Sequence, residues 1–214
     1  MNYLPADERR RTIIDAAVDV IAAEGLARAT TRRIAEKAGA PLGALHYCFR
    51  NKNELNMLIL ERGQATMQAT FAHIDPAAGF EATLRASVAT YWRWIRENPG
   101  LHFALMELLM WFIRNKETIA PTLRDGDMWV AVNAPMGGAL IQRNLDAAAR
   151  ADGTAPAIAV HEITRFLIHR MDGLVFEFAE TKDEESCERQ AELLADALVH
   201  LSTRYSPAAG EHSP

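Results

Sequence analysis

The amino-acid sequence predicts an all-α protein of about nine helices. Nearly half of its 214 residues are apolar, yet only 7% are aromatic, and Ala and Leu are abundant. That composition supplies a substantial core suited to packed helices. Apolar residues recur at three- and four-residue spacing, and strand-like alternation is scarce. Breaks such as Gly25, Asp75-Pro76-Ala77-Ala78-Gly79 and Asn98-Pro99-Gly100 divide the periodic stretches.

Residues 1–5 read as a short arm. Arg9-Arg10-Arg11 opens the first helix, either as a phosphate or minor-groove contact or as a solvated helix end. Ile14, Ala17, Val18 and Ile21 form the apolar stripe of that helix, which runs to about Glu24 and stops at Gly25. Thr30 to Lys52 then reads as two short helices joined by a tight turn, followed by the start of a third. A hydroxyl of Thr30 or Thr31 can cap the first of them. Ile34, Ala35 and Ala38 share one face, and Gly39 ends the helix where a left-handed residue costs little. Pro41 has a φ suited to the first turn of the next helix, which keeps Leu45 and Phe49 inward.

The outer face of that second helix carries Leu42, Gly43, Ala44, His46 and Tyr47. It has little bulk, a few polar tips and no carboxylate. A helix entering the DNA major groove needs such a face. Arg32, Arg33, Lys37, Arg50 and Lys52 surround it, where phosphates would lie. The plain alternative is a helical hairpin inside an all-helical core.

The stretch from about Arg9 to Leu60 resembles the N-terminal domain of the tetracycline-repressor-like (TetR) transcription regulators. The match runs through Gly25, Thr30-Thr31, Ile34-Ala35, Ala38-Gly39, Gly43, Leu45, Phe49, Lys52 and Leu55. It departs at Pro41, where the family usually has a capping Ser or Thr, and at Ala40, His46 and Cys48. Those departures bear on the operator sequence rather than on the fold. The resemblance implies an N-terminal helix-turn-helix domain, a C-terminal helical domain that binds a ligand and dimerises, and an effector pocket in that second domain.

A fourth helix starts at Asn51, which can cap it with Glu54 three residues on, and runs to about His73. Lys52 lies at its positive end, a place suited to a phosphate. The fifth spans Phe80 to Glu97. The sixth, Leu101 to about Lys116, is apolar nearly all round and reads as buried. A seventh begins near Ile119, with Pro121 in its first turn, and runs to about Arg150 with a kink or break at Pro135-Met136-Gly137-Gly138. The last two run from about Pro156 to Ala179 and from about Asp183 to Arg204; residues 206–214 form a flexible tail. Residues 1–56 are thus expected to bind DNA, and 57–205 to bind an effector and dimerise.

Net charge is −5 overall, but its distribution is uneven. Residues 1–56 hold nine Lys and Arg against seven Asp and Glu, a net of +2; the remainder holds fourteen against twenty-one, a net of −7. The acid lies outside the proposed DNA-binding part, and the local field governs contact with phosphates.

The final helical pair carries more apolar surface than a terminal hairpin on a monomer needs. The surplus can meet the same pair of a second subunit, so a homodimer is expected. A short recognition helix reads few base pairs, and two of them, roughly 34–36 Å apart, span successive major grooves. Trp92, Phe103, Met106, Met110, Trp111 and Trp129, with Asn133, Glu107, His102 and His169 among them, describe either a mostly apolar effector pocket or ordinary core.

No run of about eighteen apolar residues occurs, so no membrane span is expected, and the polar N-terminus lacks a signal-peptide h-region. Cys48 and Cys187 are expected to be free thiols in a cytoplasmic protein. No metal spacing, phosphate loop or nucleophile elbow is present, so no cofactor, metal or catalytic residue is expected. The sequence therefore points to a double-stranded DNA operator, a small-molecule effector and a second copy as partners, in a repressor released by its effector. An all-helical enzyme using the aromatic cavity, or a helical protein-interaction module, are the alternatives. The first predicts turnover without DNA binding, the second no enriched duplex.

Overall fold

The computed structural model describes residues 5–119 and 138–204. Among them are nine α-helices and one 3-10 turn, and no strand. They are α1 (Ala6–Glu24), α2 (Thr31–Lys37), α3 (Leu42–Cys48), α4 (Lys52–Phe71), the turn Pro76–Ala78, α5 (Phe80–Glu97), α6 (Pro99–Ile119), α7 (Gly138–Asp152), α8 (Val160–Thr181) and α9 (Glu184–Arg204). The all-α prediction holds. The chain divides into two compact units, each discontinuous in sequence. The described residues 5–67 and 97–119 form one, and 68–96 and 138–204 the other.

In the first unit α1 packs against α2, α3 and α6. Its core takes Ile13, Ala17 and Ile21 from α1, Ile34 from α2, Leu45 and Phe49 around α3, and Leu55 and Ile59 from α4. The stripe of α1 is wider than predicted: Ile13 and Val20 are buried and Val18 is only half-buried. Elements on several sides of the helix widen the face it must bury. Gly63 lets α4 approach α6, since a β-carbon there would stand 2.5 Å from Leu105 Cδ1. The break between α5 and α6 is Asn98 alone, because Pro99 has no amide proton to lose in a first helical turn. The expectation that α6 is buried all round is corrected. Ala104, Leu105, Leu108 and Phe112 are buried, but Met110 and Ile113 are exposed.

In the second unit α8 packs on α7 and α9, and α7 on the 3-10 turn. Asp152 closes the turn onto the start of α5: its Oδ2 accepts from the Phe80 amide at 2.7 Å. Phe71 meets Tyr91 edge-on at 6.0 Å, and Trp92 meets Phe178 edge-on at 5.3 Å. The predicted start of α8 near Pro156 is also corrected, since the helix begins at Val160. The Ala157 amide donates to the Ser202 carbonyl on α9 at 2.7 Å, which ties the segment ahead of the helix to α9. The predicted start of a seventh helix near Ile119 is corrected, since α6 runs on to Ile119; Pro121 and most of the break at 135–138 lie outside the described residues, as do the tail and residues 1–4.

Candidate nucleic-acid interface

Local chemistry aims α2 and α3. Thr30 caps α2, its hydroxyl accepting from the Arg33 amide at 3.2 Å. Gly39 turns the chain at φ +61, the conformation foreseen for it. Pro41 stands one place earlier than expected, as the N-cap of α3 and not its first residue, and supplies no side-chain cap. Leu45 and Phe49 anchor α3 in the core, and the Arg10 guanidinium lies 5.1 Å over the Phe49 ring.

The opposite face of α3 is open within this chain. Leu42, Gly43, His46 and Tyr47 are exposed, Tyr47 at 81%, and Ala44 is half-exposed. A β-carbon at Gly43 would meet nothing within 4 Å. The helix carries no carboxylate, so the surface is slender and free of negative charge.

The cations around it divide into two kinds. Arg32 is exposed. Arg33, expected to contact phosphate, is instead committed to carboxylates. It reaches Glu24 at 2.7 Å and Glu36 at 3.1 Å, which ties α2 back to α1. The Arg33 hydrogen bond holds the Glu24 carboxyl below its ordinary range, and the two carboxylates hold Arg33 above its own. Lys37 pairs with Asp19 at 3.4 Å. Arg10 and Arg50 share Glu54 at 3.1 and 3.3 Å. Burial alone would raise the Glu54 carboxyl, but the Arg50 amide and the two guanidinium groups bring it below the usual value.

Asn51 caps α4 as foreseen, accepting from the Glu54 amide at 2.9 Å. Glu54 reaches back one residue further than a capping box would, to the Arg50 amide at 2.7 Å. Lys52 is half-buried, and its ammonium donates to the Leu26 carbonyl at 3.4 Å. Burial lowers its pKa. Glu107, which the sequence placed among cavity polar groups, accepts from the Leu26 amide at 2.6 Å. No local pattern signals a bond spanning 81 residues.

The residues expected to line an effector pocket are distributed as follows. Phe103, Met106 and Trp111 are half-buried and Met110 exposed on α6 of the first unit. Trp92 is buried in the second unit. His169 is exposed on α8, its Nδ1 3.8 Å from Asp172. Trp129 and Asn133 lie outside the described residues. His102 is buried, and burial pushes it down to about 4. Asp172 accepts from Tyr91 at 3.4 Å, and burial raises it to about 6.

A second surface lies along α8 and α9. Ile163, Leu167, Met171 and Leu174 face inward from α8, and Cys187, Ala191, Ala195 and Leu198 from α9. Outward stand Phe166 and, at 66% exposure, Leu193. A groove of about 440 Å³ runs between the helices past Gly173, Leu174, Leu193 and Leu194, and one of about 450 Å³ past Ile158, Phe166 and Leu201. Among the described residues no three metal-ligating side chains gather, and no helix is long and apolar enough to cross a membrane.

Residues 13–56 match the family model described as bacterial regulatory proteins, tetR family. A relative is the HTH-type nicotine-responsive transcriptional repressor HdnoR of Paenarthrobacter nicotinovorans. It is 29% identical over 178 residues, 82% of this chain and 87% of the relative. Among solved structures, Salmonella enterica GusR superposes with a TM-score of 0.69 at 18% identity, over 91% of this chain and 95% of that one. FadR from Bacillus subtilis in complex with stearoyl-CoA superposes with a TM-score of 0.65 at 16% identity, over 89% and 98%.

Proposed function

We propose that this chain, whose residues 13–56 match the family model of the tetR bacterial regulatory proteins, is a ligand-responsive repressor that binds a near-palindromic operator as a homodimer. In this reading residues 1–56 read DNA, and 57–205 take an effector and the second copy. Helix α3 enters the major groove. Arg32, Leu42, Gly43, Ala44 and His46 approach base edges, while Tyr47 and Lys52 hold phosphates. Arg33, with its carboxylates, frames the helices and leaves phosphate contact to its neighbours.

The second copy docks on the outward face of α8 and α9, around Phe166, Gly173 and Leu193. The effector is small and mostly apolar. The relative named for its response to nicotine and the neighbour solved with stearoyl-CoA support an apolar ligand without specifying this one. Release follows when the effector favours a separation of the two heads that does not fit the operator. A ligand shifts such an equilibrium only through its differential affinity for the two states.

One observation carries the reading: the outer face of α3 is open and free of carboxylate, while Leu45 and Phe49 hold the helix from within. The test is selection of bound duplexes from a random pool with wild type and with Gly43→Glu. Wild type should enrich a near-palindrome. The variant should keep its fold, since space at Gly43 is open, and lose roughly tenfold or more in affinity, about 1–3 kcal/mol. A pool without an enriched sequence would sink the proposal.

A further inference from the structure

We infer that Glu107 of α6 is a positioning residue for the DNA-reading helices: together with Lys52 it clasps Leu26, the turn residue from which α2 and α3 are aimed. The proposal of DNA reading above is its premise. Leu26 follows Gly25, where α1 stops at φ +83. Its amide donates to Glu107 Oε2 at 2.6 Å, and its carbonyl accepts from Lys52 Nζ at 3.4 Å. Both polar backbone groups of one residue are thus held by side chains from two other helices. The donor meets a carboxylate and the acceptor an ammonium, so each bond is charge-assisted.

What holds Leu26 is transmitted along a short, internally bonded turn. The Arg28 amide donates to the Gly25 carbonyl at 3.1 Å, Ala29 to Leu26 at 3.3 Å, and Thr30 to Arg28 at 2.7 Å. Thr30 then caps α2. A shift at Leu26 therefore moves the cap, the entry of α2 and the exposed Arg32. The α3 helix follows through the Gly39 turn. The carboxylate also lies against the stop of α1, since a β-carbon at Gly25 would stand 3.6 Å from Glu107 Oε2.

The clasp makes the pose of the reading helices depend on α6. That helix packs on α1, with Gly100 beside Ala22, and meets α4 where Leu105 sits over Gly63. Packing of this kind tolerates a small slide between helices. The Glu107 bond does not, because lengthening a 2.6 Å contact by about 1 Å takes it out of hydrogen-bonding range. Glu107 is on the exposed side of α6, so its truncation leaves no cavity. Pose and stability can therefore be separated by experiment.

The test uses the full chain with Glu107→Ala and Glu107→Gln. Each is measured against the duplex enriched by wild type, against a scrambled duplex of the same length, and by thermal unfolding. Glu107→Ala should lose about tenfold on the enriched duplex and change less than about twofold on the scrambled one. Its unfolding midpoint should stay within about 3 °C of wild type. Glu107→Gln should recover most of the loss, since its amide oxygen still accepts. Amide exchange at Leu26 should quicken in the Ala variant only. Equal losses on both duplexes, or no loss on the enriched one, overturn the positioning role. If wild type enriches no duplex, the DNA-reading proposal fails and takes this role with it. Exchange at Leu26 then still reports whether the clasp forms.

Discussion

On α3 the residues turned outward are Leu42, Gly43, His46 and Tyr47; on α8 and α9 they include Phe166 and Leu193. The first unit keeps its open helix narrow and free of acid, and pairs off several of the surrounding cations. Arg33 goes to Glu24 and Glu36, Lys37 to Asp19, and Arg10 and Arg50 to Glu54. The second unit leaves large apolar groups open beside grooves of some 440 and 450 Å³. In the proposed reading a polyanion is met by removing bulk and negative charge, and a second copy by leaving apolar side chains exposed. Exposure alone therefore separates the two surfaces poorly, and residue type at equal exposure separates them well.

The harshest way to break that contrast is to place a charge in the apolar face. Leu193→Glu should convert the proposed dimer to a 23.8 kDa monomer, read by sedimentation equilibrium. Affinity for the enriched duplex should fall at least roughly hundredfold, because one head reads only a few base pairs and loses its tethered partner. A variant that stays dimeric at micromolar concentration would remove α8 and α9 from the interface.

Much of the first unit was legible because its signals are local. Thr30, Gly25, Gly39 and Asn51 act on amides or dihedrals within a few residues of themselves, and Leu45 and Phe49 obey helical spacing. What escaped was set by distant groups. Arg33 looked like a phosphate contact because Glu24, nine residues back, becomes its neighbour only once α1 and α2 fold together. Glu107 looked like a cavity residue for the same reason. The start of α8 escapes a local reading because a non-helical segment bonded to α9 leaves no local mark. The openness of α3 is suggested by its residue types but decided by which neighbours fold against it.

A milder probe uses one buried titratable group in each unit. Burial depresses His102 of the first unit to about 4, from an ordinary value of 6.5. The unfolded chain then takes up its proton first, so stability from His102 is present above about 6.5 and is lost as pH falls toward 4. Burial raises Asp172 of the second unit to about 6, with His169 and the Tyr91 hydroxyl opposing. Here the folded chain binds the proton first. The cost of the buried carboxylate is present above about 6 and is relieved as pH falls toward 4. Each effect is of order 3 kcal/mol at full span. Urea unfolding at pH 7 and pH 4.5 should therefore show opposite departures from the wild-type slope when each group is removed. Asp172→Asn should leave a chain that loses more stability on acidification than wild type, and His102→Gln one that loses less. Changes from the wild-type slope that share one sign in both variants would contradict the burial assigned to one of them.

The smallest effects come from the two seven-residue helices of the first unit, which begin differently. In α2 the Thr30 hydroxyl takes a first-turn amide; in α3 Pro41 offers none. Thr30→Ala should cost about 1 kcal/mol, the usual worth of such a cap. Pro41→Ser can gain a similar bond, since Pro41 already has the extended ψ of 143 that a cap needs. It also frees a backbone that proline holds at φ −58, which costs about 0.4–1 kcal/mol through the unfolded chain. The two terms nearly cancel, so Pro41→Ser should leave the urea midpoint within error of wild type while Thr30→Ala lowers it. A proline N-cap and a hydroxyl N-cap are then two routes to one helix start, the first acting on the unfolded chain and the second on the folded one. A clear gain in Pro41→Ser would mean that rigidity before α3 contributes little, and that the capping bond dominates at both helices.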